Sequence, residues 1–230
     1  MKPEALIFDV DGTLADTEEA HRAAFNGAFA EHGLDWHWSK PQYARLLRTA
    51  GGKERIAAYL ETLDLAPTER RSVAARIADI HRSKTAQFTA MVNSGVVPLR
   101  DGVVRLLDEA RALGVRAAIA TTTTFENIRA LLQTNLGAGA LGRFAVVGAG
   151  DQVQKKKPSP DIYLYVLRQL ALPAAGCVAI EDSANGLAAA KAAGLFTVVT
   201  PTFWTLEEDF SAADLLLPTL AGVRLAQLEH

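Results

Sequence analysis

The chain has 230 residues, 49% hydrophobic and 22% charged, a profile that excludes a disordered segment and fits a globular protein with a sizeable core. Its 24 Lys and Arg against 26 Asp and Glu leave a net charge of −2, with no basic footprint for nucleic acid or an anionic membrane. The lone cysteine, Cys177, excludes an internal disulfide and a Cys-rich zinc site, and no apolar run reaches the roughly 18 residues of a membrane span.

In chain order, Met1-Lys2-Pro3-Glu4-Ala5 runs straight into a strand predicted over 5–10, so neither a signal nor a transit peptide is expected and the protein is placed in the cytoplasm. Residues 17–92 hold no strand pattern but four amphipathic helical stretches, 20–32, 42–49, 53–63 and 68–91. A helix follows in which Val103, Leu106, Leu107, Ala110 and Leu113 mark one face and Gly114 supplies the stop. Strands are predicted over 115–121, 144–148, 177–182, 196–200 and 214–217. Each is short, apolar and without in/out alternation, as strands buried on both faces are. Cys177 lies in one of these runs and reads as a core thiol. Ser159-Pro160 offers an N-cap and a first-turn proline to a helix ending at Leu170, and Ser183 caps a helix that Gly194 ends. Gly137-Ala138-Gly139-Ala140-Leu141-Gly142 matches a dinucleotide-binding pattern but follows a helix instead of a strand, so it reads as a loop.

Alternating strands and helices predict an α/β fold, a Rossmann-like parallel sheet core with an inserted helical cap. The core is expected over 1–16 and 93–227 and the cap over 17–92, with Leu228-Glu229-His230 read as the start of a purification tag. In such sheets the ligand site lies at the carboxyl ends of the strands.

The chemistry is written at those ends. Phe8-Asp9-Val10-Asp11-Gly12-Thr13 closes the first strand, and the turn at Gly12-Thr13 lets Asp9 and Asp11 converge. A second acidic pair, Glu181-Asp182, closes the strand over 177–182. Two carboxylates about 4 Å apart repel by roughly 4 kcal/mol at an effective dielectric of 20. A hard divalent cation with oxygen ligands resolves that conflict, and Mg2+ suits a site shared with phosphate. Thr121 stands at another strand end, where its hydroxyl and nearby N–H groups can hold an anion. In Lys155-Lys156-Lys157-Pro158, Lys157 is the lysine restricted by the proline and is expected to point inward, the other two to be solvated.

Asp9-Val10-Asp11-Gly12-Thr13, Thr121, Lys157 and Glu181-Asp182, in this order, resemble the four signatures of the haloacid dehalogenase superfamily of phosphohydrolases. The resemblance covers the whole chain. It implies Asp9 as the nucleophile that takes the phosphoryl group and Asp11 as the acid and then the base. It implies Mg2+ held by Asp9, the main-chain carbonyl of Asp11 and Asp182 with Glu181 nearby, and Thr121 and Lys157 on the phosphoryl oxygens. Competing chemistries fit less well: a cysteine phosphatase needs an Arg where Ser183 stands, and Gly51-Gly52-Lys53-Glu54 lacks the leading glycine and the hydroxyl of a P-loop.

The cap narrows the substrate. Asp16 and Glu19 have capping-box spacing. Glu18 and His21 share a helix face and can bond sugar hydroxyls. Two glycines, Gly51 and Gly52, precede Lys53, Glu54 and Arg55, a second anion site at a helix start, and His81 and Lys84 share a later face. With Tyr43 and the stretch from Thr121 through Thr122 and Thr123 to Asn127, these features resemble the CbbY-type branch of the superfamily, whose members hydrolyse xylulose 1,5-bisphosphate. By that resemblance Glu18 and His21 contact the sugar and the cationic cap residues the distal phosphate, and the partner is a small phosphosugar bound by a monomer. A broader sugar-phosphate or phosphoglycolate phosphatase, a β-phosphoglucomutase-like mutase (which carries lysine where Thr124 stands) and a silent phosphosugar-binding protein are the alternatives.

Overall fold

The computed structural model describes residues 2–49 and 51–228. Six short strands form one sheet: β1 (Ala5–Phe8), β2 (Arg116–Ala120), β3 (Val146–Gly148), β4 (Cys177–Glu181), β5 (Phe196–Val199) and β6 (Leu215–Leu216). Their order is β3-β2-β1-β4-β5-β6 and every pairing is parallel. All residues of β1 and β4 are buried, which explains runs of Ala, Leu, Ile and Val without alternation. β1 pairs on one side with β2 and on the other with β4, Phe8 lying between Ile119 and Ile180. The strand order therefore reverses its direction of growth between β1 and β4, and a crevice opens at the carboxyl ends of strands at such a point.

The chain divides into two compact units, one running up to Thr17 and from Val92 onward, the other Glu18–Met91. The first holds the sheet with α6 (Val103–Ala112), α7 (Phe125–Leu136), α8 (Asp161–Leu170) and α9 (Ala184–Ala192). The second is helical: α1 (Glu18–Glu31), α2 (Lys40–Leu46), α3 (Gly52–Glu61), α4 (Pro67–Ala74) and α5 (Ile77–Asn93), the last running two residues past the division. On the sheet's α8 side the core packs Ile7, Ala118, Ala120, Cys177 and Ala179 against Ile162, Tyr163, Val166, Leu167 and Leu170. The helical unit is centred on an aromatic cluster, with Phe25, Phe29, Trp38, Tyr43 and Tyr59 in ring contact. Among the described residues no helix is long and apolar enough to cross a membrane.

Several expectations are corrected. Strand ends fall short: β1 stops at Phe8, so Asp9 and Asp11 both lie in the turn beyond it, and β3 begins at Val146 rather than residue 144. The stretch 68–91 is two helices, broken at Ala75-Arg76, where the Arg76 guanidinium donates to the His32 carbonyl at 3.3 Å. Ser159 is not the cap of α8. Pro160 occupies that position, and the Ser159 hydroxyl donates to Asp161 at 2.6 Å. Glu19 does not close a capping box, because its carboxylate accepts two hydrogen bonds from Arg22. Of the three residues read as the start of a tag, Leu228 is fully buried in the final 3-10 turn, and Glu229 and His230 lie outside the described residues. The glycine-rich stretch 137–142 is a loop leading into a 3-10 turn, as its context implies.

Candidate active site

Beyond β1 the backbone closes a tight turn. The Val10 carbonyl accepts from the N–H groups of Thr13, Leu14 and Ala15, and Gly12 N donates to Ala15 O at 2.8 Å. Gly12 has φ +88°, and a Cβ there would strike the Asp182 carboxylate. The glycine is thus required twice, for its left-handed backbone and for the closeness of a neighbouring acid. Asp9 N donates to Ile180 O at 3.0 Å, fixing the first aspartate beside the end of β4.

Asp9, Glu181 and Asp182 are all buried, and one carboxylate oxygen from each lies within 4.8 Å of the others. Lys157 joins this group from the loop before α8. Its ammonium donates to Asp9 Oδ1 at 2.6 Å, Glu181 Oε1 at 2.6 Å and the Ala120 carbonyl at 2.8 Å. Those three bonds engage all three protons of the ammonium. Tyr163 on α8 donates its hydroxyl to the same Glu181 oxygen, and its ring lies 5.0 Å from Lys157 Nζ. Burial pushes the Asp9 carboxyl up to about 8 against the opposing pull of Lys157, with Glu181 and Asp11 raising it further. Lys157 is held above its ordinary value, Asp9 and Glu181 outweighing the cost of its burial.

Glu181 Oε2 has no hydrogen-bond partner among the described residues. An orphaned buried carboxylate oxygen beside two further carboxylates is a costly arrangement, and an all-oxygen donor set of this kind fits a hard divalent cation. Asp11 accepts from the Thr17 hydroxyl at 2.7 Å. Thr121 is buried at the end of β2, its N–H on Gly148 O and its hydroxyl accepting from Thr123 N at 3.3 Å. Thr123 also takes the Asn127 carboxamide at 3.4 Å, and the Thr122 carbonyl lies against Gly150. These last contacts brace the loop between β2 and α7.

Within the helical unit, Tyr43 donates to Glu18 at 2.7 Å and accepts from Arg55 at 3.0 Å. Arg55 also donates to the carbonyls of Leu46 and Thr49. Lys84, buried, donates to His21 Nδ1 at 2.7 Å and lies over the rings of Phe25 and Phe88. Since an ammonium only donates, a neutral His21 carries its proton on Nε2. Gly52 touches the His81 ring, Glu54 folds back over Gly51, and Lys53 is exposed, lining with His81 a groove of about 660 Å3. Glu18, Tyr43 and Arg55 thus form one group and His21 and Lys84 another, while Lys53 stands apart.

Sequence reasoning missed three contributors. Tyr163 carries no sequence signal, being one aromatic on an amphipathic helix. Gly186 touches the Glu181 carboxylate one turn into α9, where a Cβ would collide with it. Arg100 sits in the turn ahead of α6 and donates to the Gly12 carbonyl.

With this geometry in view, the comparisons are consistent. A family model described as haloacid dehalogenase-like hydrolase matches residues 3–194. Protein CbbY of Rhodobacter capsulatus is 52% identical over 96% of this chain and 96% of its own, and the plasmid-borne CbbY of Cupriavidus necator 53% over 99% and 89%. Among solved structures, an Asp-to-Asn variant of CbbY from Rhodobacter sphaeroides in complex with xylulose-(1,5)bisphosphate superposes with a TM-score of 0.88. It is 49% identical and covers 99% of this chain and 100% of that one. The chain belongs to the haloacid dehalogenase-like hydrolase family. It is an enzyme, a phosphatase of the CbbY-like kind within that family.

Proposed function

We propose that the enzyme hydrolyses a sugar bisphosphate, xylulose 1,5-bisphosphate to xylulose 5-phosphate and phosphate, with Mg2+ as its cation. The observation that carries the chemistry is the buried group in which Lys157 bridges Asp9 and Glu181 while Asp182 stands within reach of both. The sugar is supported by the half-identical relative crystallised with that compound.

Asp9, the Asp11 carbonyl, Asp182 and Glu181 would hold the cation, which when bound supplies positive charge against the phosphoryl oxygens. Lys157 engages Oδ1 of Asp9, leaving Oδ2 to attack phosphorus. The new bond is Asp9 Oδ2–P, the bond broken is P–O to the sugar, and Asp11 gives its proton to the departing alkoxide. Asp11, now a carboxylate steadied by Thr17, takes a proton from water. That water attacks phosphorus, frees Asp9 and releases phosphate. Lys157 screens the charge gathered on Asp9 and the phosphoryl group, and the Thr121 hydroxyl stands at the neighbouring strand end to meet a phosphoryl oxygen. The helical unit carries the cations Lys53, Arg55 and Lys84, charges suited to a second anionic group on the substrate, with His81 as a neutral hydrogen-bonding neighbour.

Phosphate release from xylulose 1,5-bisphosphate, with Mg2+ and with chelator, tests the reading. Turnover that needs Mg2+ and exceeds turnover of phosphoglycolate supports it; equal rates on both would replace it with a broad phosphatase. Conversion of one sugar phosphate into its isomer without free phosphate would replace it with a mutase.

A further inference from the structure

Arg100 is tied by hydrogen bonds to the turn after β1 and to the segment after β5. One guanidinium nitrogen donates to the Gly12 carbonyl, to Thr200 O at 2.8 Å and to Thr200 Oγ1 at 2.9 Å; the other donates to Pro201 O at 3.2 Å. Its own N–H donates to Leu14 O at 2.8 Å. Thr200 N in turn donates to Glu181 O at 2.7 Å. Gly12 is therefore a residue whose missing side chain leaves room for the Asp182 carboxylate and whose carbonyl is held by Arg100. The same guanidinium links the turn after β1 to the segment after β5, across the end of β4 where Glu181 and Asp182 stand.

We propose that Arg100 is a positioning residue: it fixes the Asp9–Thr13 turn against the end of β4, so that Asp9 and Asp182 converge on the cation. This inference rests on the phosphatase reading above. The guanidinium holds two donor nitrogens in one plane at a fixed separation, one on Gly12 and Thr200 and the other on Pro201; a lysine ammonium brings a single nitrogen on a flexible stem and cannot occupy both places. Arg100 also keeps a permanent positive charge that acts on Asp182 and Asp16, a second cation for the acids besides Lys157. Misplacing reacting groups by about 1 Å costs on the order of a hundredfold in rate. A loosened turn should therefore act on kcat and on cation affinity before it acts on substrate affinity.

The test compares Arg100→Lys with Arg105→Lys, the latter a control whose guanidinium also bonds backbone carbonyls, those of Leu220 and Val223, away from the acids. Two readouts are taken: steady-state kinetics on xylulose 1,5-bisphosphate and p-nitrophenyl phosphate, and the rise in melting temperature caused by Mg2+ alone. Arg100→Lys should lower kcat by about ten- to a hundredfold with KM within twofold of wild type, and shrink the Mg2+-induced rise. Arg105→Lys should lose stability while keeping both. Should Arg100→Lys not fold, Thr200→Val, which deletes only the side-chain acceptor, should shift both readouts in the same direction by less. An Arg100→Lys enzyme with wild-type kcat and an undiminished Mg2+ response overturns the proposal, as does a wild-type protein that Mg2+ fails to stabilise. If the wild type is stabilised by Mg2+ but releases phosphate from neither ester, the functional reading fails, while the Mg2+ response still decides on Arg100.

Discussion

At Gly186 two physical effects pull against each other. Replacing a helical glycine by alanine stabilises a helix by roughly 0.5–1 kcal/mol, so Gly186→Ala looks favourable on propensity. A Cβ there would collide with the Glu181 carboxylate, which is locked by Lys157 and Tyr163, and overpacking a tight site costs typically about 1–3 kcal/mol. The collision wins. Gly186→Ala should unfold at lower temperature than wild type and lose most of its kcat, both measurable on one preparation; a stabilised and active variant would show that Glu181 can move freely. Asp9→Asn should behave oppositely. The carboxamide cannot attack phosphorus, so turnover should vanish, but Lys157 keeps Glu181 at 2.6 Å. Burial raises the Asp9 carboxyl and so favours its neutral form without a cation, and asparagine stands in for that form. The melting temperature without Mg2+ should therefore stay near the wild-type value, as a thermal scan will show.

Elements were legible where burial alone decides them. β1 and β4 are enclosed on both faces and show as plain apolar runs, and the Ser183 cap is local, its hydroxyl accepting from Gly186 N. The break between α4 and α5 was not legible, because neither Gly nor Pro marks it; the tie there runs from Arg76 to His32, a residue far away in sequence. Ser159 looked like a cap, yet Asp161 captured its hydroxyl. The acids could be read because they stand at strand ends, and Lys157 because Pro158 follows it, whereas Tyr163 and Arg100 act through tertiary contacts that no spacing encodes. On α5, burial together with Lys84 and Lys53 holds His81 below its ordinary value, with Glu54 opposing and His21 adding to the effect. The folded state therefore prefers the neutral ring. The stability this provides is complete above about pH 6.5, the unfolded value, and is lost as pH falls through the lower folded value. Urea unfolding of the helical unit at pH 7.5 and 5.5, followed through its aromatic cluster, should show a loss at the lower pH. His81→Gln should reduce that loss; an unchanged pH dependence would remove His81 as its source.

On the scale of the whole molecule, a sheet that reverses its order between β1 and β4 gathers three carboxylates where β1 and β4 end. Without a cation, Asp9 takes up a proton. Its folded value of about 8 against 3.8 when unfolded means that it favours the fold most below the unfolded value. That contribution declines as pH rises toward 8 and is constant above. Binding Mg2+ reverses this, since a carboxylate ligand must be ionised. Two consequences can be measured together. Saturating Mg2+ at about a hundred times its dissociation constant adds roughly 2.7 kcal/mol to the unit that binds it, a rise of several degrees in melting temperature, at roughly 2–4 °C per kcal/mol for a chain of this length. The helical unit's own transition, where it is separate, should not move. Calorimetric titration of Mg2+ at pH 7, repeated in buffers of different ionisation enthalpy, should report proton release approaching one per ion. That release should fade as pH is raised past 9, where Asp9 is already ionised, and it should be absent in Asp9→Asn. Binding with no proton release at pH 7 would mean that Asp9 is a free carboxylate before the ion arrives, with Lys157 and not burial setting its charge.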